Sequence, residues 1–114
     1  MQMVVYDSNF RFLYINSEEE GDALVRNTLQ GKTDFDFCEI KSLSPELANV
    51  RLTHIKKSIA EKRTIQFEET VEVGGDIKYY QRTITPNFDS NGNLINIIRQ
   101  GHEITEIKKV IYEL

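Results

Sequence analysis

Two carboxylates two positions apart, Asp34 and Asp36, are the closest this chain comes to a general acid and base pair. They sit in the run Gly31-Lys32-Thr33-Asp34-Phe35-Asp36-Phe37-Cys38, read as a loop whose alternate charges are solvated rather than paired, with Phe35 and Phe37 packing under short helices. Cys38 is the single cysteine, so it forms no internal disulfide and reads as a small buried hydrophobe. His54 and His102 lack the spaced Cys or His companions that zinc requires, and both read as structural or surface residues. No glycine-rich phosphate loop and no nucleophile motif is present, so the chain reads as non-enzymatic. Glu69 is different. From Thr64 to Val73 the residues switch to period two, with Ile65, Phe67, Val71 and Val73 on one face and Gln66, Glu68, Thr70 and Glu72 on the other. Glu69 falls in the apolar row, where a carboxylate needs a charged or hydrogen-bonding partner.

The elements that must position these groups belong to one domain, since 114 residues suffice to bury a core that folds alone. A net charge of -4, with both signs interspersed, lacks the concentrated positive field that a nucleic-acid partner requires. The lone cysteine fits a reducing compartment, here read as the cytoplasm. No apolar run approaches the roughly 20 residues of a bilayer span and no signal-peptide layout opens the chain, so no direct membrane contact is expected. Membership of a membrane-anchored receptor is compatible with this.

Along the chain, Met3 to Tyr6 reads as a strand and Phe10 to Ile15 as a second, apolar enough on both faces for a central place in a sheet. Ser17 before Glu18-Glu19-Glu20 reads as a helix cap, and Gly31 ends that segment. Ser44-Pro45-Glu46 starts a longer helix running to about Lys62, with Ala48, Leu52, Ile55 and Ile59 as its apolar face and Arg51, Lys56, Lys57 and Glu61 pointing largely elsewhere. Three antiparallel strands follow: Thr64 to Val73, Ile77 to Thr85 with Pro86 capping it, and Asn93 to Glu103, joined at Gly74-Gly75-Asp76 and at Asp89 to Gly92. A last helix carries Ile104, Ile107, Ile111 and Leu114 in steps of three and four, a seam that calls for a partner. The order is that of an α+β fold with helices on one face of the sheet.

This order, together with Asp7-x-Asn9-x-Arg11 before Tyr14-Ile15-Asn16, the stretch Gly31-Lys32-Thr33-Asp34, the hairpin Pro86-x-x-Asp89-x-x-Gly92 and the ending Glu103-Ile104-Thr105-Glu106, resembles a PAS domain over nearly the whole chain. The ending departs from the family at Glu103, where aspartate is usual, which bears on the coupling of core to outgoing helix. The resemblance implies a five-stranded antiparallel sheet in the order 2-1-5-4-3, a ligand cavity between sheet and long helix, and a regulatory output. It divides the chain into a sensor body, residues 1–103, and the start of a signalling helix, residues 104–114.

By the spacing of the family's flavin-binding members, Tyr80, Arg82 and Ile84 face the cavity from one strand, and Ile95, Ile97, Arg99 and Gly101 from the next. Glu69, Arg82 and Arg99 then converge. Two guanidinium groups facing one carboxylate leave surplus positive charge for a small anionic ligand, and the implied site is Phe67, Glu69, Tyr80, Arg82, Ile97 and Arg99, with Glu103 and Thr105 coupling it to the helix. An internal salt-bridge cluster, or a slip of one residue that turns all three charges to solvent, fits the same pattern. Haem held by His54 is disfavoured because that residue lies beside the apolar stripe. The photoactive flavin is disfavoured because the stretch around Cys38 lacks the Asn-Cys-Arg-Phe-Leu-Gln run. The expected role is a cytoplasmic small-molecule sensor, homodimeric, regulating a histidine kinase or diguanylate cyclase; the alternative is a ligand-free dimerisation and protein-interaction module in which Met3-Val4-Val5 covers a partner's sheet.

Overall fold

A computed structural model of the chain describes residues 2–16 and 23–113. Five strands, β1 (Gln2–Asp7), β2 (Phe12–Asn16), β3 (Ile65–Val73), β4 (Asp76–Phe88) and β5 (Leu94–Glu103), form one antiparallel sheet in the order β2-β1-β5-β4-β3. The helices α1 (Ala23–Leu29), α2 (Asp34–Ile40) and α3 (Glu46–Glu61) lie between β2 and β3 in sequence, and α4 (Thr105–Glu113) follows β5. This is the α+β arrangement expected. The cap read at Ser17 with Glu18 to Glu20, the side chain of Val73, and Leu114 lie outside the described residues.

Local chemistry sets the boundaries. Thr33 and Asp36 form a reciprocal capping box at the start of α2, and Lys62 closes α3 in the left-handed conformation. The Ser44 hydroxyl accepts from the Glu46 amide at 3.2 Å, so serine and proline together open α3 as expected. In the β4–β5 hairpin the Asp89 carboxylate accepts from the amides of Asn91 and Asn93, both at 2.9 Å, while Gly92 takes a positive φ of 83°.

Three expectations about strands are corrected. β2 is an edge strand: Leu13 and Tyr14 are about half exposed, and their apolar character does not bring a second neighbour. Proline at 86 does not end β4, which runs on to Phe88 with Pro86 opposite Ile97. β3 pairs only as far as Ile84, so at Pro86 the strand has a partner on one side and loses little by lacking a donor. Ile95 sits where the β4–β5 register shifts, and it is 53% exposed rather than inward.

The core lies between the sheet's inner face and α1 to α3, built around Tyr6, Phe12, Leu29, Ile55, Ile84 and Ile97. Val4 is buried in it and is therefore not available to cover a partner's sheet. On the opposite face, α4 packs against β4, with Lys108 paired to Glu68 at 2.8 Å and the Tyr112 ring 5.9 Å from Tyr79. Ile107, Val110 and Ile111 of α4 remain exposed.

A buried charge network beside a cavity

Strand register brings the charged residues together. Gln2, Gly101, Arg82 and Phe67 form one row across β1, β5, β4 and β3, and Val4, Arg99, Ile84 and Ile65 form the next. Because alternate residues of a strand share a face, Glu69 lies diagonally beside Arg82 on the same inner surface. All three expected charges are buried, with 3%, 2% and 6% exposure for Glu69, Arg82 and Arg99.

Two further charges complete the network, and both correct the sequence reading. Asp34 is not solvated but lies in the first turn of α2 with 6% exposure, and Arg51 does not point away from the apolar face of α3 but into it, with 3% exposure. Arg51 donates from Nε and Nη2 to the two carboxylate oxygens of Glu69 and from Nη1 to Asp34 Oδ1, each at 2.8 Å. Arg82 donates from Nε and Nη2 to Glu69 Oε1 at 3.2 and 3.1 Å, and from Nη1 to the side-chain oxygen of Gln2. Arg99 Nη1 donates to the Tyr6 hydroxyl at 2.7 Å and to Asp34 Oδ1 at 3.2 Å, while the Tyr6 hydroxyl donates to Asp34 Oδ2 at 2.6 Å. Arg99 thus joins Asp34 rather than Glu69.

Desolvation and charge compete at each member. Burial alone would raise the Glu69 carboxyl, but the hydrogen bonds and charge of Arg51, with Arg82 and Arg99 behind, hold it down at about 2. Asp34 is likewise lowered: Arg99 and Arg51 outweigh its burial. Burial pushes the Tyr6 phenol far upward, so it stays neutral and donates. Arg82 is lowered to about 10, first by burial and then by repulsion from Arg99. The sum, three guanidinium groups against two carboxylates, leaves one positive charge unbalanced among the buried described residues.

A depressed carboxyl stabilises the fold above its unfolded pKa and loses that contribution as pH falls through the folded one. Glu69, moved from 4.5 to about 2, therefore contributes in full above roughly pH 5 and fades toward pH 2. Urea titrations of the protein are expected to lose about 3 kcal/mol from this group over that range, and a Glu69→Gln variant, already deprived of it, is expected to show a flatter profile.

Against this network lies a cavity of about 410 Å³. Apolar walls come from Val4, Phe12, Ile15 and Leu29 on one side and from Phe37, Leu43 and Leu47 on the other. Tyr80, Arg51, Arg82 and Arg99 supply its polar surface. Lys41, Asp76 and Lys78 line its more exposed part, with Lys78 3.8 Å from Glu103. Of the residues expected to face a ligand, Tyr80, Arg82 and Arg99 line this cavity. Phe67 instead stacks on His54, ring centroids 3.8 Å apart, Ile97 is packed in the core at 0% exposure, and Glu69 supports the arginines from behind. His54 is further engaged through Nδ1 with the Val50 carbonyl at 2.8 Å. Cys38 is buried as expected, whereas Phe35 is 41% exposed and only Phe37 packs inward. Among the described residues no cluster of three or more His, Cys, Asp or Glu is placed to hold a metal ion, and no helix is long and apolar enough to cross a membrane.

Of the two residues expected to couple the body to the outgoing helix, Glu103 ends β5 and Thr105 begins α4. Thr105 is buried, its hydroxyl accepting from the Tyr79 amide at 3.1 Å, while the Ile104 amide donates to the Tyr79 carbonyl at 2.7 Å. The start of the helix is thereby tied to β4 one residue from Tyr80.

The family model described as the PAS fold matches residues 1–109. Solved structures of similar shape include a sensory box sensor histidine kinase from Vibrio cholerae, 14% identical with a TM-score of 0.66, covering 91% of this chain and 82% of that one. A domain of an HTR-like protein from Haloarcula marismortui is 23% identical with a TM-score of 0.67, covering 91% and 97%. The Vibrio cholerae VqmA dimer is 20% identical with a TM-score of 0.69, covering 93% of this chain and 47% of that one. At these identities the likenesses concern the fold alone. No curated protein matches the chain.

Proposed function

The chain belongs to the PAS family of sensory domains, and on that premise we propose that it binds a small molecule in the cavity and passes its occupancy through β5 and α4 to an effector of the histidine-kinase or diguanylate-cyclase type. The observation that carries this reading is the 410 Å³ cavity itself, a volume suited to a small ligand, walled by apolar side chains and floored by buried arginines. Residues 1–103 are the sensor body and residues 104–114 the start of the signalling helix.

The path of coupling follows the contacts. A ligand touching Arg82 or Arg99 acts on β4 and β5 directly, because Arg82 faces Gly101 and Ile84 faces Arg99 in the β4–β5 register. Two residues beyond Gly101, Glu103 pairs with Lys78, and Thr105 then anchors α4 to Tyr79. A shift of β5 against β4 therefore reaches the helix through Glu103 and Thr105, which biases a two-state helix rather than forcing it. Ile107, Val110 and Ile111 offer the exposed stripe through which two copies of α4 pair in a homodimer.

The test is native mass spectrometry of the purified domain, repeated under denaturing conditions, with an absorbance spectrum of the same sample. The expected result is a colourless non-covalent mass of small-molecule size that disappears on denaturation. A bare chain running mainly as a dimer would overturn the ligand reading in favour of an interaction module built on the α4 stripe.

A further inference from the structure

The three buried arginines do not spend their donors equally. Arg51 uses Nε, Nη1 and Nη2 on Glu69 and Asp34, and Arg82 uses the same three on Glu69 and Gln2. Arg99 spends Nη1 alone, on Tyr6 and Asp34. Its Nε and Nη2 have no protein partner among the described residues. Since no buried side-chain nitrogen or oxygen there lacks a partner, these two donors open on the cavity that Arg99 lines. They are the side edge of the guanidinium of a residue that is only 6% exposed, a pair of parallel N–H groups at the spacing of a carboxylate's two oxygens.

Charge fixes how much anion the site accepts. Three buried guanidinium groups face two carboxylates, an excess of one, and the rim is balanced by Lys41 and Lys78 against Asp76 and Glu103. A singly charged guest neutralises the interior. A dianion would leave one negative charge buried and uncompensated, which low-dielectric surroundings penalise heavily. Phe12, Leu29, Leu43 and Leu47 offer the fork's guest an apolar wall, while Lys41, Asp76 and Lys78 lie at the more exposed part of the cavity.

We propose that the cavity takes an amphiphilic monocarboxylate, its head forked on Arg99 Nε and Nη2 and its apolar body among Phe12, Leu29, Leu43 and Leu47. The assignment rests on the sensory reading above and names the class of ligand. Arg82 supports it: burial and Arg99 hold it at about 10, so an anion nearby relieves a repulsion between the two guanidinium groups.

Isothermal titration at pH 8 with octanoate, octanamide and octyl phosphate separates the alternatives, since the three share one chain and differ in head-group charge. Octanoate is expected to bind about tenfold or more tightly than either of the others, the difference a charged hydrogen-bonding head commands. Arg99→Lys keeps the charge but loses the fork, and is expected to abolish most of that preference. Leu47→Trp fills the cavity without touching the charge network, and is expected to remove octanoate binding in a protein that still folds. Octanamide or octyl phosphate binding as tightly as octanoate, octanoate binding that survives Leu47→Trp, or no octanoate binding at all overturns the assignment. A guest in the native mass spectrum together with no octanoate binding defeats this assignment alone and leaves the sensory reading standing.

Discussion

Arg51→Ala is expected to cost about 3 to 5 kcal/mol of folding stability, the range for removing one partner of a buried ion pair. Arg51 is the hinge of the network: it holds both oxygens of Glu69 and one of Asp34, and its guanidinium carbon lies 5.6 Å from the centre of the Phe37 ring. Without it Glu69 keeps only Arg82, and Asp34 keeps Arg99 and Tyr6, so each carboxylate loses a charged donor while remaining out of water. A stability of 5 to 15 kcal/mol is usual for a domain, so about 4 kcal/mol is a large fraction of it. The measurement is urea unfolding followed by circular dichroism. A companion variant, Arg51→Met with Glu69→Gln, removes charge from both sides and replaces the arginine by an apolar chain of similar length; it is expected to recover about half the loss. A cost below about 1 kcal/mol for Arg51→Ala alone would show that the network is not held together at this residue.

That Arg51 escaped the sequence reading is instructive, because its spacing was there to be used. Ala48, Arg51, Ile55 and Ser58 fall at steps of three, four and three, and these four are the buried residues of α3. Choosing the apolar letters Leu52 and Ile59 instead traced the neighbouring stripe, which is only half-buried. A helix face is defined by angle rather than by polarity, and a buried carboxylate opposite supplies the reason for an arginine to lie on it. Asp34 escaped for a related reason. The capping pair Thr33 and Asp36 was legible and marks a helix start, which would have placed Asp34 in a structured turn; nothing local, however, says that Tyr6, Arg51 and Arg99 come from three distant segments to meet it. The strands were easier. Period two put Glu69, and the family's spacing put Arg82 and Arg99, on the face where they are found, and the turn at Asp89 to Gly92 held the register that made this possible. Where the strand reading failed, at Pro86 and Ile95, the failures lie at the sheet's margin, where pairing on one side ends and a register shift breaks the alternation.

Gly101→Ala is expected to cost about 2 to 4 kcal/mol, because the position lacks room for a single methyl group. A Cβ built there lies 2.7 Å from both Cδ and Nη1 of Arg82 and 2.8 Å from the backbone oxygen of Gln81. The first two contacts can be relieved by moving Arg82, but only by pulling it from Glu69 and from Gln2. The third is with main chain of the paired strand, and relieving it separates β5 from β4 at the place where Arg82 and Gly101 are opposed. Arg82→Gln alone removes the first obstacle, so the double variant Gly101→Ala with Arg82→Gln is expected to lose less than the sum of the two single losses, by about 1 kcal/mol. Strict additivity would mean that the Gln81 carbonyl sets the whole penalty and that Arg82 does not bear on Gly101. The coupled result has a functional corollary. If the Arg82 side chain and the β5 backbone compete for the same space, a ligand that draws Arg82 into the cavity lowers the restraint on Gly101, two residues before Glu103 and four before Thr105. In the proposed sensor that close approach converts a change of charge in the cavity into a displacement of the strand that leads to α4.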